Sequence, residues 1–362
     1  WAGGGGEGEA RGRAGSTAAD AGRQAEGGRG GGAGRAGGGR AGGRGGAGPG
    51  GGGGGREPIR STRPVPWAGR VTDPTPSAGP VDVVLDVLAV GETGARTSED
   101  IFTASSHPMP RGRIFGGQVL GQAVVASART LPPDRSPHSL HGYFLRPGDV
   151  HKPLTFAVDR IHDGRSFSRR RIQAFQEGEP IFSGIASFQD DDPGLEHQLT
   201  LPEVPGPAGL PGPSDRVHGR PEASLLLRAN PIEVRHVDSD IYLSVDRPQP
   251  RQAVWTRLRR PIGDDPMLHR AAIAYITDFT IQESVMRAHG VPWATPGIKT
   301  ASLDHAIWWH RPGRADEGML YVQESPSSRG GRGLAQGQLY SRDGAPPATV
   351  AQEIMLRVSG AA

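Results

Sequence analysis

The 362-residue sequence has no cysteine. That excludes disulfides, thiolate nucleophiles and cysteine-ligated metals together. Lysine is nearly missing too: Lys152 and Lys299 stand against 39 arginines, a bias of the kind a GC-rich coding sequence leaves. No apolar run approaches the ~20 residues of a membrane span, and no apolar signal segment follows the first residues. The last residues, Ser359-Gly360-Ala361-Ala362, are not a peroxisomal Ser-Lys-Leu address, so a cytoplasmic protein is expected.

What is present is unevenly spread. Residues 1–56 hold 28 of the 57 glycines, with eight arginines against four acidic residues. Such a tract has almost nothing to bury, so residues 1–76 are expected to be a disordered arm. Arginine-glycine arms can bind nucleic acid, but no aromatic residue interleaves this one to stack on bases. A solvated extension is therefore expected (or a mis-set translation start, since the chain opens on Trp1), with no nucleic-acid partner.

From Pro80 the pattern becomes that of a folded protein. A short apolar helix spans Val81 to Val90, and a strand begins near Glu99. The stretch Arg113-Ile114-Phe115-Gly116-Gly117-Gln118-Val119-Leu120-Gly121-Gln122 opens a central helix of about 14 residues that stops at Leu131-Pro132-Pro133. Strands follow over 138–145, 154–161, 166–176 and 180–189. Along 166–176, Phe167, Arg169, Arg171, Gln173 and Phe175 fall on one face and Ser168, Arg170, Ile172 and Ala174 on the other. The three arginines suggest a solvated strand edge or a contact for phosphates.

Residues 191–225 are rich in proline and glycine and read as a linker. The order then repeats: strands at 232–237 and 252–259, a helix from about Met267 to Ala288 behind Asp265-Pro266, and strands at 302–309, 319–324, 333–341 and 349–358. Tyr143-Phe144-Leu145-Arg146-Pro147-Gly148 is echoed by Trp308-Trp309-His310-Arg311-Pro312-Gly313, and the turn after Phe175 by the turn after Tyr340, both at an offset of 165 residues. This is a duplicated unit, with domains at 77–190 and 226–359. The fold class expected is α+β, with each long antiparallel sheet curled around one apolar helix.

The glycines of 116–121 invite a phosphate-loop reading, which fails. The spacing G-G-x-x-x-G is not that of a dinucleotide fingerprint, the strands downstream form hairpins, and no Gly-Lys-Ser/Thr ending is present. Two readings remain open. Gly121 allows close approach of the helix to its sheet, and Gly116-Gly117 leaves N–H groups free at the helix start for a carbonyl or an anion.

These stretches, with His138-Ser139-Leu140-His141-Gly142-Tyr143-Phe144-Leu145-Arg146-Pro147-Gly148-Asp149, Asp163-Gly164-Arg165-Ser166-Phe167, Tyr275-Ile276-Thr277-Asp278, Ser302-Leu303-Asp304-His305 and Val350-Ala351-Gln352-Glu353, resemble the TesB-type acyl-CoA thioesterase II family over roughly residues 82–358. The resemblance implies a double hotdog fold and hydrolysis of acyl-CoA to fatty acid and CoA, with no metal or other cofactor, in a homo-oligomer. It implies a catalytic set of Asp278, Ser302 (a threonine in many members) and Gln352, all in the second half. Gln336 and Gln338 are rivals to Gln352. Gly116, Gly117, Gln118 and His138 are candidate substrate contacts.

Chemistry supports the set independently. Hydrolysis of a thioester needs an activated water and donors for the oxyanion, and a carboxylate inside the apolar pattern Ala274–Phe279 needs hydrogen bonds of its own. His138, His141, His305 and His310 read as structural or surface residues. Asp304 and His305 do not form a dyad, since adjacent strand residues point to opposite faces. Ser166 lacks a nucleophile elbow. Competing readings are a non-catalytic acyl-CoA-binding hotdog protein, an RNA-associated protein using the arm, and a hotdog enoyl-CoA hydratase. The last requires His five residues after Asp; here Glu283 follows Asp278 and Trp309 follows Asp304.

Overall fold

The structure, a computed structural model, describes residues 79–93, 98–107, 109, 112–212, 215 and 230–358. The expected arm and the later part of the linker lie outside them. Pro80 opens helix α1 (Pro80–Leu88), where its missing N–H is no loss, and Asp82 caps the start by accepting from the N–H of Gly79 at 2.8 Å. Two strands follow, β1 (Gly91–Glu92) and β2 (Asp100–Ala104), then helix α2 (Gly116–Ala128). The remaining strands of the first half are β3 (Ser136–Phe144), β4 (Leu154–Asp163), β5 (Phe167–Gln176) and β6 (Glu179–Gln189). The second half repeats the plan with β7 (Ile232–His236), β8 (Arg251–Leu258), α3 (Pro266–Thr280), α4 (Glu283–Ala288), β9 (Ile298–Ser302), β10 (Asp304–Trp309), β11 (Met319–Arg329), β12 (Arg332–Tyr340) and β13 (Ala348–Val358).

All the strands form one antiparallel sheet in the order β1-β2-β4-β5-β6-β3-β10-β13-β12-β11-β8-β7, with β9 on β13. The halves join at β3–β10. The register there explains the repeat: Tyr143 pairs with Asp304 and Ser139 with Trp308, so moving the first pair by 165 residues in opposite directions gives the second. His141 opposite Ala306 maps onto itself and marks a pseudo-twofold axis. Inside the sheet lie α2 and α3, and one hydrophobic core takes residues from both helices and both halves. This is the double hotdog arrangement.

Several local expectations change. Gly121 does serve close packing, but the approach is to helices: a Cβ there would stand 2.5 Å from Leu88 of α1 and 3.1 Å from the Ala271 carbonyl of α3. The helix expected over 267–288 lapses at Ile281–Gln282, where the Gln252 amide reaches the Thr280 carbonyl and Gln323 donates to the Thr280 hydroxyl at 2.7 Å. Strand β5 alternates as expected, yet Arg170 is no edge residue. It is 1% exposed and donates to Thr130 and Asp163, while Arg169 and Arg171 face outward. The described part of the linker is held against the second half, with Trp255 Nε1 donating to the Pro205 carbonyl and Arg235 to that of Leu210.

The expected single strand 302–309 is broken at Leu303. Ala306 pairs with Ala351, but Ser302 pairs with Ile354, so Leu303 is one extra residue against β13, a β-bulge. In an unbroken strand Ser302 and His305 would face opposite ways. The bulge turns both inward.

Candidate active site

Helix α3 is started by Asp265, whose side chain accepts from the Met267 N–H at 2.9 Å, with Pro266 in the first turn. Two turns of apolar residues then carry Asp278 into the core, where it is 3% exposed. Both of its carboxylate oxygens are engaged. Oδ1 accepts from Ser302 Oγ at 2.8 Å and from Gln352 Nε2 at 2.8 Å. Oδ2 accepts from the backbone N–H of Gly117 at 2.9 Å. Gln352 Nε2 also donates to Ser302 Oγ at 2.9 Å, which closes a triangle.

The sequence-derived catalytic set is thus brought together, each member by its own element: the second central helix, the bulged end of β9 and the inward face of β13. Gln336 is exposed and Gln338 accepts from Tyr340 on the other face of β12, so neither rivals Gln352. Burial pushes Asp278 up to about 6, opposed by the hydrogen bonds from Ser302, Gln352 and Gly117. Burial and the Asp278 charge raise the phenols of Tyr275 and Tyr321 above their usual range.

The first half takes part as well. Gly117 lies in the first turn of α2, so a helix N-terminus faces the Asp278 carboxylate. Of the two N–H groups that the sequence left free, that of Gly117 meets an anion, one supplied by the chain itself. Gly116 is equally tight: a Cβ there would stand 2.7 Å from Asp278 Oδ2. The other two candidate contacts are elsewhere. Gln118 is buried, with Nε2 donating to the Ser106 hydroxyl at 3.1 Å and Oε1 receiving the His107 N–H at 3.4 Å, so it holds the loop before α2. His138 meets Ser187 Oγ at 2.9 Å and packs edge-on against Phe167. Neither contact involves the Asp278 group.

Sheet register shows what the first half has at the matching positions. Pro137 pairs with Phe188 as Ser302 pairs with Ile354, again beside a bulge. Leu140, 165 residues before His305, pairs with Ala186. Pro137, Leu140 and Ala186 thus replace Ser302, His305 and Gln352, so the first half has no hydroxyl, imidazole or amide there.

His305, which the sequence places among structural or surface histidines, lies against this set. It is 1% exposed, its Nδ1 lies 2.5 Å from Gln352 Oε1 and its Nε2 lies 3.2 Å from Thr277 Oγ1. Its distance of three residues from Ser302 would have been a signal only if the bulge were known. Asp304 points the other way, as alternation requires, and accepts from the Glu353 N–H. Among the described residues no three His, Cys, Asp or Glu side chains converge as metal ligands, and no helix is long and apolar enough to cross a membrane.

Fold and site together define a double hotdog with one buried, triply hydrogen-bonded carboxylate at the seam of its halves. A structure from Alicyclobacillus acidocaldarius described as having the hot dog fold superposes with a TM-score of 0.61 at 20% identity, over 76% of this chain and 98% of that one. Residues 233–355 match the family model described as acyl-CoA thioesterase, and residues 103–189 the one described as acyl-CoA thioesterase N-terminal domain. Human acyl-coenzyme A thioesterase 8 is 38% identical over 277 residues, covering 72% of this chain and 85% of that protein. The acyl-CoA thioesterase II TesB2 structure from Mycobacterium marinum is 37% identical, with a TM-score of 0.62, over 77% and 98% of the two chains. The chain belongs to the acyl-CoA thioesterase family.

Proposed function

We propose that this protein hydrolyses fatty acyl-CoA to fatty acid and CoA by attack of a water that Asp278, Ser302 and Gln352 activate together, the last two orienting the carboxylate that takes its proton. The observation that carries this reading is the convergence of Ser302 Oγ and Gln352 Nε2 on one oxygen of Asp278, both at 2.8 Å. The ionised carboxylate takes a proton as the water oxygen attacks the thioester carbonyl carbon. The tetrahedral intermediate collapses with cleavage of the C–S bond, CoA leaves as a thiolate, and the proton on Asp278 passes to that sulfur, which restores the carboxylate. A thiol titrates near 8.5 in water, so this leaving group departs without a strong acid. Ser302 is half-buried and Asp278 is not exposed, so substrate approaches from the Ser302 side.

The reading takes residues 77–190 and 226–359 as the two units, with the working set in the second. A cytoplasmic homo-oligomer with no nucleic-acid partner completes it. The enoyl-CoA hydratase alternative gains nothing, because Glu283, at the position of its required base, is tied to His236 at 2.8 Å and to Trp293 at 2.9 Å.

The test is release of free CoA thiol from a panel of acyl-CoAs by the full chain and by Asp278→Ala. A protein without cysteine gives no background in a thiol assay. Release by the natural protein and its loss in the variant support the reading. Acyl-CoA binding without release at any chain length would replace it with the binding-protein alternative.

A further inference from the structure

A glutamine side chain is ambivalent. Its carbonyl oxygen and amide nitrogen exchange places on a half-turn about the last bond, and its surroundings decide which way it sits. For Gln352 the choice matters. With the nitrogen toward Asp278 it supplies both amide hydrogens, one to Asp278 Oδ1 and one to Ser302 Oγ. The reverse setting would turn a carbonyl oxygen on a carboxylate and remove both donors.

We propose that His305 is the positioning residue that holds the Gln352 amide in its working orientation. This rests on the reading of Asp278, Ser302 and Gln352 given above. His305 and Gln352 face each other across β10 and β13, with Nδ1 on Oε1 and the ring otherwise enclosed. A neutral imidazole carries one N–H. Placed on Nδ1, it donates to the Gln352 carbonyl, and Nε2 lies 3.2 Å from the Thr277 hydroxyl, whose single proton has the Ala274 carbonyl at 3.0 Å and this nitrogen as its two acceptors. Thr277 is held in turn, its own carbonyl accepting from Tyr321 OH at 3.1 Å. The other tautomer would set a lone pair against the Gln352 carbonyl.

Burial keeps the ring neutral by pushing its pKa down to about 4. The first half offers an internal comparison: Leu140 and Ala186 stand where His305 and Gln352 stand, so histidine and amide are present together or absent together. The bulge at Leu303 brings His305 to the same face as Ser302, which links all three to one local feature of the sheet.

The experiment measures kcat, KM and melting temperature for the full-length protein, His305→Leu, His305→Asn, Gln352→Ala and the double variant His305→Leu/Gln352→Ala. Partners that orient a metal-binding side chain from behind are worth about 10- to 100-fold, and the same scale is expected for an amide oriented in this way. His305→Leu is expected to lower kcat about tenfold or more with little change in KM. His305→Asn, whose amide nitrogen sits near the Nδ1 position, is expected to recover most of that loss. In the double variant the histidine change should slow Gln352→Ala no further, because its effect passes through that amide. Losses that multiply in the double variant, or His305→Leu within twofold of the natural protein while Gln352→Ala is slow, would overturn the assignment. Natural turnover in Gln352→Ala would overturn the site reading along with it. Should His305→Leu fail to fold, His305→Asn is compared with His305→Gln, which offers its donor at the Nε2 position. The assignment requires the asparagine variant to be the faster, and the opposite order rejects it.

Discussion

The N–H of Gly117 donates to Oδ2 of Asp278 across 2.9 Å, although 161 residues separate them in the chain. A backbone group of the first half is therefore part of the site of the second. This gives the first half a role despite Pro137, Leu140 and Ala186 standing at its own matching positions.

Gly116→Ala tests how closely that seam must fit. The backbone there is helical, so alanine would gain up to ~1 kcal/mol of helix propensity. Its Cβ, however, would stand 2.7 Å from Asp278 Oδ2 and 3.0 Å from Phe144. The expected result is at least a tenfold fall in kcat/KM with far-ultraviolet circular dichroism unchanged. Full activity in this variant would show that the carboxylate can shift without consequence.

Activity should follow the ionisation of Asp278. With the group raised to about 6, kcat/KM is expected to be flat at neutral pH and to fall tenfold per unit below about 6, as the base gains its proton. A profile that stays flat down to pH 5 would remove Asp278 as the base.

The same group has a stability signature of opposite sense. A carboxyl whose folded pKa exceeds its unfolded value favours folding when protonated. Its contribution is full below 3.8 and is lost as pH rises through about 6. At 1.36 kcal/mol per unit the whole effect is roughly 3 kcal/mol. Asp278→Asn should thus gain stability relative to the natural protein between pH 4 and pH 7.5, read as urea midpoints, while losing turnover. His305 acts the other way. Its depressed pKa gives a contribution present above 6.5 and lost as pH falls through about 4.

Position 302 is expected to need its hydroxyl rather than its particular side chain. Ser302→Thr keeps the donor to Asp278 and is expected within about threefold of the natural rate. Ser302→Ala leaves Asp278 Oδ1 with Gln352 alone. It should lose about 10²-fold, the scale for one oriented donor. Equal rates for the two variants would argue against a hydroxyl role.

Away from the site, Gly121→Ala should destabilise the protein. The added methyl meets Leu88 at 2.5 Å and the Ala271 carbonyl at 3.1 Å, and overpacking of this kind costs about 1–3 kcal/mol against the ~1 gained in propensity. A raised melting temperature would show that α1 yields freely.

Much of this molecule is legible in its sequence. The alternation along 166–176, the proline and aspartate at the head of α3, the 165-residue echo and the carboxylate inside Ala274–Phe279 are local patterns, and local backbone geometry obeys them. Asp278, Ser302 and Gln352 are legible through motif resemblance. Tertiary structure decided the rest. A bulge at Leu303 exists only because β13 pairs with two segments in different registers, and it reverses which neighbours of Ser302 face inward. Burial of Arg170 depends on Thr130 and Asp163 arriving from other elements. The Gly117 donor depends on two helices from separate halves packing side by side, and the partner of His305 lies one strand away. A period of two or 3.6 residues says which face a side chain takes, but what stands across from that face is set by pairing between distant segments.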